Sequence, residues 1–224
     1  MGVTGEAHEL DLVLFDLDGT LTDSQAGISA SYRHTLAELG LHADDAAIRA
    51  CIGPPLSWSL ASLGVPSERI GEAVGIWREF FAVNGIFDNK VFDGVPALLD
   101  RVSGAGIPMG VATSKLRGYA VDILEHFSLA GYFATVAGAT SDGRLTHKDE
   151  IVGDAMARAG VSASERVVMI GDREHDMWGA IATGVVPIGV SYGYGTRREL
   201  ESAGAQWIVD SPGALAELIL TLAR

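Results

Sequence analysis

Two aspartates separated by a single residue follow an apolar run near the start of the chain. Asp16 and Asp18 come directly after residues 10–15 and are followed by Gly19 and Thr20. A turn would explain Asp18 and Gly19, because Asp-Gly is common in turns, but it would not explain Asp16. An aspartate is ionised at neutral pH and can attack phosphorus without the help of a base. We therefore interpret Asp16 as a nucleophile that forms an acyl phosphate, and Asp18 as the acid and base that serves the leaving alcohol and then water.

A second acidic pair follows another apolar run, at residues 167–170. Asp172 and Asp176 lie four positions apart, so at the start of a helix they share one face. They could simply cap that helix and complement its dipole. However, a carboxylate and a phosphate repel each other, and a divalent cation with oxygen ligands would bridge them. We expect Asp16, Asp18, Asp172 and Asp176 to bind Mg²⁺.

Hydroxyl groups and one lysine are candidates for holding the phosphate oxygens. Thr113 and Ser114 follow the apolar run at residues 107–112, where a hydroxyl and backbone amides could donate to phosphate. Lys148 opens a helical pattern, a position at which a lysine is usually solvated. Because an acidic site needs a fixed cation to receive phosphate, we interpret Lys148 as that cation. Together with Asp16 and Asp18, Thr113 and Lys148 are the catalytic candidates.

The elements that would position these residues alternate between strand and helix. Apolar runs at residues 10–15, 107–112, 167–170 and 185–190 predict buried parallel strands, with helical patterns between them. This alternation predicts an α/β fold, a Rossmann-like doubly wound parallel sheet with helices on both faces. In such sheets ligands bind outside the carboxyl ends of the strands, where the candidate residues stand.

A helical segment interrupts the alternation after the first strand. Helical patterns at residues 28–39 and 70–81 flank Gly53-Pro54-Pro55, and no strand is expected between the first strand and Phe92. We interpret residues 22–91 as an inserted helical cap and residues 1–21 and 92–224 as the catalytic core. The alternative is that these helices simply pack on the core.

Composition narrows the class of protein. Of the 224 residues, 48% are hydrophobic and 20% are charged, which is typical of a globular protein. The net charge of -13 disfavours nucleic acid polymers and anionic membranes as partners. The single cysteine, Cys51, excludes an internal disulfide, and no apolar run reaches the roughly 18 residues of a membrane span. We expect a cytoplasmic protein, and the sequence predicts no particular oligomeric state.

The motifs resemble, in order, those of the haloacid dehalogenase superfamily. Residues 16–20 are similar to its first motif, Thr113-Ser114 to its second, Lys148 to its third and residues 171–176 to its fourth. The resemblance implies a Rossmann-like core, a cap inserted after the first motif, Mg²⁺ and an aspartyl-phosphate intermediate. It also implies that Gly19, Thr20, Thr113, Ser114 and Lys148 bind the substrate phosphate. The second acid, Asp18, favours a phosphatase over a dehalogenase.

Finer similarity points to one group of phosphatases. Residues 52–56, 85–87, 171–176 and 192–195 resemble the phosphoglycolate phosphatase group, particularly its 5′-nucleotidase-like branch. The resemblance implies a small phosphate ester as substrate, either phosphoglycolate or a nucleoside monophosphate. A sugar phosphomutase on the same scaffold is an alternative. An alternative from another class is a receiver-type signalling module, although receivers lack the Asp-x-Asp-Gly-Thr arrangement and the cap-sized insertion.

Several other residues are expected to have ordinary structural roles. The cap cations Arg33, Arg49 and Lys90 are expected to be solvated, and His175 is expected to lie at the surface. Arg198 stands where a dinucleotide-binding loop would need its third glycine. We therefore expect residues 193–195 to form a tight turn after a strand.

Overall fold

A computed structural model describes residues 10–224. The strands are β1 (Leu12–Phe15), β2 (Thr22–Asp23), β3 (Lys90–Val91), β4 (Met109–Leu116), β5 (Thr135–Ala139), β6 (Val167–Gly171), β7 (Val186–Val190) and β8 (Trp207–Val209). The helices are α1 (Gln25–Glu38), α2 (Asp45–Ala50), α3 (Leu56–Ser62), α4 (Ile70–Phe80), α5 (Val95–Gly104), α6 (Arg117–His126), α7 (Lys148–Ala159), α8 (Glu174–Thr183), α9 (Arg197–Ser202) and α10 (Pro212–Leu222). Short 3₁₀ turns lie at Ser67–Arg69 and Ala130–Tyr132, and a π-helical turn at Phe81–Gly85 extends α4.

Six strands form one parallel sheet in the order β5-β4-β1-β6-β7-β8. The two faces of β1 enter different apolar clusters: Val13 and Phe15 pack with α5, α6 and α10, whereas Leu12 and Leu14 pack with α7. A strand buried on both faces requires a continuous apolar sequence rather than an alternating one. The predicted doubly wound parallel sheet is therefore confirmed, and its four most apolar strands were identified from the sequence.

Strands β5 and β8 were not predicted. Strand β5 contains Ala137 and Gly138, which are too small to give a strong apolar signal, and β8 is a half-buried strand of three residues at the sheet edge. Both strands owe their conformation to pairing with a neighbouring strand. Val136 of β5 pairs with Val111 of β4, and Trp207 of β8 pairs with Ile188 of β7. Such pairing cannot be read from local periodicity.

The chain enters and leaves the cap through a two-stranded antiparallel ribbon. In this ribbon Thr22 pairs with Val91 and Asp23 with Lys90, and helices α1 to α4 lie between the two strands. The expectation of no strand between the first strand and Phe92 is wrong, since β2 and β3 lie in that segment. Strands of two residues are too short to show a period of two in the sequence. The assignment of residues 22–91 to a separate domain stays a prediction.

The ends of several helices have residues that suit helix caps. Helix α7 begins at Lys148, and Gly160, which has a left-handed backbone, follows its last residue as the C-cap. The Thr196 side chain accepts a hydrogen bond from the Glu199 amide at the start of α9, and Ser211 caps α10 in the same way. Within residues 10–224, no helix combines the length and apolar character needed to cross a membrane.

Candidate active site

The carboxyl ends of three adjacent strands bring the candidate residues to one edge of the sheet. Asp16 follows β1, Asp172 follows β6, and Thr113 lies in the last half of β4, with β1 between the other two strands. Lys148 is the first residue of α7, and Asp176 lies in the first turn of α8. Residues from distant parts of the chain therefore meet where the fold predicts a ligand.

Lys148 is the buried cation at the centre of this edge. Its Nζ lies 3.1 Å from Asp16 Oδ1 and 2.6 Å from Asp176 Oδ1, and it donates to the carbonyl of Ala112 at 3.1 Å. Burial disfavours the charged ammonium, but Asp16 and Asp176 outweigh this effect and raise the pKa of Lys148. Gly179 of α8 makes room for the lysine stem, because a Cβ there would lie 2.5 Å from Lys148 Cγ.

Asp16, Asp172 and Asp176 form a buried acidic trio, in which one carboxylate oxygen of each lies within 4.8 Å of the others. Burial raises the pKa of Asp16 to about 6, and the nearby charges of Asp176 and Asp18 add to this shift. Burial raises the pKa of Asp172 as well, again with a contribution from Asp176. Three carboxylates crowded in an apolar site resist ionisation unless a cation compensates their charge.

The oxygens of Asp172 indicate what the trio could hold. Its Oδ2 accepts a hydrogen bond from the amide of Tyr194 at 2.7 Å, whereas its buried Oδ1 has no hydrogen-bond partner within residues 10–224. A buried oxygen without a partner is costly, and a metal ligand would satisfy it. The trio consists of oxygen ligands only, which suits a hard divalent cation such as Mg²⁺. The residues present therefore fit the metal that the sequence motifs imply.

The carboxylate of Asp18 does not belong to this trio. Its Oδ2 lies 2.9 Å from Lys115 Nζ, and its Oδ1 accepts a hydrogen bond from Ser24 Oγ at 2.6 Å. These contacts pair the Asp18 side chain with a lysine, and the expected role of Asp18 as a metal ligand stays a prediction. Asp18 lies beyond the strand end, in the loop that leads to β2. This position suits a group that exchanges protons with the substrate.

Lys115 is a site residue that the sequence reasoning missed. Its side chain is 5% exposed, and its ammonium lies 4.5 Å from the centre of the Phe81 ring, which belongs to the π-helical turn of the cap. A cation over an aromatic face is an attractive arrangement. The signal in the sequence was a lysine two positions after Thr113, but a lysine after a strand is most often solvated.

Among the expected phosphate-binding residues, Thr113 and Ser114 line a cavity between the sheet edge and the cap, whereas Gly19 and Thr20 are not part of its wall. Gly19 has a φ of +84°, and a Cβ there would lie 2.3 Å from Asp172 Oδ2. Only glycine fits this close approach of the first loop to the carboxylate of Asp172. Thr20 is buried, and its carbonyl accepts a hydrogen bond from the Tyr192 hydroxyl at 3.0 Å. Direct contact of Gly19 or Thr20 with phosphate stays a prediction.

The turn after β7 packs against Asp172 of the acidic trio. A Cβ at Gly193 would lie 2.2 Å from the carbonyl oxygen of Gly19, and one at Gly195 would lie 1.9 Å from that of Asp172. The Tyr194 hydroxyl also accepts a hydrogen bond from the Ser24 amide at 2.7 Å. The expected turn is present, but its two glycines serve the packing of three loops around Asp172. This function was not visible in the sequence.

A cavity of about 850 Å³ opens between the sheet edge and the cap. Its core side includes Asp16, Asp18, Thr113, Ser114, Lys115 and Lys148, and its cap side includes Tyr32, Ile52, Trp58, Trp77 and Arg78. The expected solvated cations Arg33, Arg49 and Lys90 are not part of the wall, whereas Arg78 is a cap cation that the sequence reasoning overlooked. His175, expected at the surface, is half-buried and lines the cavity beside Trp178.

Comparisons of the chain with family models, curated proteins and solved structures agree on one family. Residues 13–190 match the model of the haloacid dehalogenase-like hydrolases. A 5′-nucleotidase of Pseudomonas aeruginosa is 43% identical over 192 residues, which covers 85% of this chain and 86% of that protein. A predicted phosphatase from Clostridium acetobutylicum has a crystal structure that superposes with a TM-score of 0.91 at 39% identity, covering 95% of this chain and 99% of that one.

Other relatives have different names. A phosphoglycolate phosphatase of Agrobacterium fabrum is 31% identical over 193 residues, covering 82% of this chain and 81% of that protein. The tyrosine-protein kinase PtkA of Mycobacterium tuberculosis is 40% identical over 192 residues, covering 85% of this chain and 65% of that protein. The similarity thus extends over most of the chain, whereas the named activities of the relatives differ.

Proposed function

We propose that the chain, which belongs to the haloacid dehalogenase-like hydrolases and is a phosphatase, hydrolyses a small phosphorylated metabolite through an aspartyl-phosphate intermediate with Mg²⁺. The leading substrate is a phosphoglycolate-like ester of the cytoplasm. The observation that carries this proposal is the buried trio of Asp16, Asp172 and Asp176. Two of its members, Asp16 and Asp176, contact the ammonium of Lys148, and Asp16 and Lys148 line the cavity. The cap that walls this cavity supports a small substrate rather than a bulky one.

In the first step, a carboxylate oxygen of Asp16 forms a bond to phosphorus and the bond to the leaving alcohol breaks. Asp18 supplies the proton that the alcohol oxygen requires. Asp16, Asp172 and Asp176 would hold Mg²⁺, which offsets the repulsion between the carboxylate and the phosphate when bound. Lys148 supplies a fixed positive charge, and the Thr113 hydroxyl and the Ser114 segment donate to the phosphoryl oxygens.

In the second step, water hydrolyses the aspartyl phosphate. Asp18, now ionised, takes a proton from the water as its oxygen attacks phosphorus, and the bond to Asp16 breaks to release inorganic phosphate. Lys115 and Ser24, which hold the two oxygens of Asp18, keep this group at the cavity wall in both steps. The enzyme returns to its starting protonation state, so that one carboxyl group serves as acid and then as base.

Phosphate release from a generic aryl phosphate tests the reaction class. We expect many turnovers per chain in the presence of Mg²⁺ and loss of activity when the cation is chelated. Release of a single equivalent, with the chain left phosphorylated, would support a receiver-type module instead. Conversion of one sugar phosphate into another without release of phosphate would support a phosphomutase.

A second candidate substrate, a nucleoside monophosphate, is favoured by two exposed aromatic rings. Trp58 of the cap and Trp178 of α8 are 59% and 49% exposed, and both line the cavity. The His175 ring lies 5.3 Å from that of Trp178 in an edge contact. Exposed tryptophans at a cavity wall offer stacking surfaces for a planar base, each worth about 1 to 3 kcal/mol in nucleic acid complexes. Phosphoglycolate has no planar ring that could stack on these tryptophans.

Variants of the two tryptophans test whether the substrate is a nucleoside monophosphate or phosphoglycolate. If a base stacks there, Trp58→Ala and Trp178→Ala should lower kcat/KM for nucleoside monophosphates by about tenfold or more each, while turnover of phosphoglycolate should stay unchanged. Phe87→Ala is the matched control, because Phe87 is 50% exposed but lies outside the cavity. Equal losses with both substrates would remove the argument for nucleotides.

A further inference from the structure

The guanidinium of Arg173 connects the proposed metal site to the cap. Arg173 occupies the N-cap position of α8, between Asp172 and Asp176 in the chain, and its amide donates to Asp176 Oδ2 at 3.0 Å. Its side chain points the other way: Nε donates to Glu199 Oε1 at 2.7 Å, and one terminal nitrogen donates to the carbonyl of Ile52. One residue thus contacts an acidic ligand with its main chain and a cap segment 121 positions away with its side chain.

On the core side, several hydrogen bonds hold Glu199, the partner of the Arg173 guanidinium, in place. Glu199 Oε1 also accepts a hydrogen bond from the Glu174 amide at 3.1 Å, and the Glu199 amide donates to Thr196 Oγ1 at the start of α9. The side chains of Arg173 and Glu199 are only 14% and 20% exposed, so that solvent screens this pair weakly. Glu199 therefore fixes the guanidinium in one direction.

The cap end is shaped to receive the guanidinium. Ile52 is fully buried, and Gly53 has a φ of +107°. A Cβ at Gly53 would lie 3.0 Å from Arg173 Cγ, so that glycine permits the cap backbone to pack on the arginine stem. We call residues 52–56 the cap loop; all of them line the active-site cavity. The contact with Arg173 therefore sets the position of a wall that faces the substrate.

Only an arginine can make this connection in full. The planar guanidinium offers several donors in a fixed geometry and can serve a carboxylate and a carbonyl at the same time. A lysine carries all its donors on one nitrogen at the end of a flexible stem, and so it would lack the two separate nitrogens with which Arg173 reaches Glu199 and the carbonyl of Ile52.

From this arrangement we propose that Arg173 is a positioning residue that couples cation binding at Asp172 and Asp176 to the docking of the cap loop over the substrate. The inference rests on the proposed metal site and adds a link from that site to substrate recognition. Ordering the segment from Asp172 to Asp176 around a cation fixes the Arg173 backbone, and thereby the direction of its side chain. Because coupling between two sites is reciprocal, a docked cap loop must in turn favour cation binding.

Amide hydrogen exchange of the full chain tests the coupling directly. In the wild type, Mg²⁺ should slow exchange in residues 51–57 by about fivefold or more. In Arg173→Lys this response should disappear, and Mg²⁺ binding measured by calorimetry should weaken by a similar factor. Glu199→Gln provides a second variant that leaves the arginine in place and should reduce both effects. KM should rise more than kcat falls in each variant, because the loop positions substrate but takes no part in bond making.

Arg197→Lys is the matched control, since Arg197 forms an exposed ion pair with Glu201 on α9, the short helix that also carries Glu199. It should behave as the wild type. Unchanged cap-loop protection by Mg²⁺ in both Arg173→Lys and Glu199→Gln would overturn the coupling. Wild-type chain that binds Mg²⁺ and releases phosphate without any change in cap-loop exchange would also overturn it, while leaving the proposed phosphatase reaction intact. Wild-type chain that binds no Mg²⁺ would overturn the metal site itself, and the coupling with it.

Discussion

The ammonium of Lys115 lies 2.9 Å from Oδ2 of Asp18 and 4.5 Å from the centre of the Phe81 ring. One buried cation therefore contacts the proposed proton donor of the core and an aromatic side chain of the cap. Of the two groups that hold the Asp18 carboxylate, Lys115 carries the charge and Ser24 a hydroxyl.

We expect Lys115→Met to lower kcat by about tenfold or more, because proton transfer by a well-placed acid is worth about a hundredfold or more and the variant removes one of its supports. The loss should be larger with an alkyl phosphate than with an aryl phosphate, whose good leaving group needs less protonation. Steady-state rates with both substrates measure this. Lys90→Met, which removes an exposed lysine outside the cavity, should keep wild-type rates. An equal loss on both substrates would indicate that Lys115 does not act through the acid.

Replacing the proposed nucleophile should stop the reaction without unfolding the chain. Asp16→Asn keeps the shape of the side chain but removes the charged oxygen that attacks phosphorus. We expect phosphate release to fall to background while the circular dichroism spectrum stays native. Asp11→Asn, at a partly exposed ion pair away from the cavity, is the control. Substantial turnover by Asp16→Asn would assign the attack to another group.

The stabilising effect of Mg²⁺ should depend on pH. Burial raises the pKa of Asp16 to about 6 and raises that of Asp172 as well. In the unfolded chain the pKa of each carboxyl group is about 4, so both are ionised above that pH. In the folded chain without metal, both carboxyl groups keep their protons to a higher pH. The contribution of Asp16 to stability falls as the pH rises from about 4 to about 6, and that of Asp172 falls as the pH rises through its own raised pKa. A bound cation reverses both effects by favouring the ionised forms.

The expected outcome is a larger increase in Tm with Mg²⁺ at about pH 7.5 than at about pH 5. Thermal denaturation with and without Mg²⁺ at the two pH values measures it. Asp172→Asn, which removes one of the raised groups and one ligand, should reduce both the shift and its pH dependence. A shift of the same size at both pH values would contradict the assignment of these carboxyl groups to the metal site.

The glycines of the turn after β7 should tolerate no side chain. In Gly195→Ala the new methyl group would overlap the carbonyl oxygen of Asp172, since a Cβ at this position would lie only 1.9 Å from that oxygen. We expect a loss of about 1 to 3 kcal/mol in the free energy of unfolding, together with weaker Mg²⁺ binding. Gly118→Ala is the matched control, because a Cβ at Gly118 in α6 meets nothing within 4 Å. It should be neutral or stabilising by up to about 1 kcal/mol in chemical denaturation.

The central strands and the acidic site were predictable for the same physical reason. A strand buried on both faces must be apolar throughout, so that β1 and β6 stand out in the sequence. When such strands run parallel in one sheet, the polar residues directly after them lie at the same edge of the sheet. The amino-acid pattern alone therefore predicts that Asp16 and Asp172 lie close together.

The roles of Lys115 and Arg173 could not be predicted in this way. Each depends on a contact between core and cap, with Phe81 in one case and the carbonyl of Ile52 in the other. The partner residues lie far away in the chain, and no local period reports how a cap helix is oriented over a sheet. A lysine or arginine next to a motif has the same sequence signal whether it is solvated or buried.

The ribbon of β2 and β3 sets the two ends of the cap side by side. The amide of Phe92 donates to the carbonyl of Leu21 at 3.1 Å, immediately beside the pairing of Thr22 with Val91. An insertion whose two ends lie side by side can vary in length with little strain on its host. A different cap could be inserted at these adjoining ends, provided that it kept the contacts of Arg173 with Ile52 and of Lys115 with Phe81. Such an architecture allows selectivity for the leaving group to change in the parts of the cap that lie away from these two contacts.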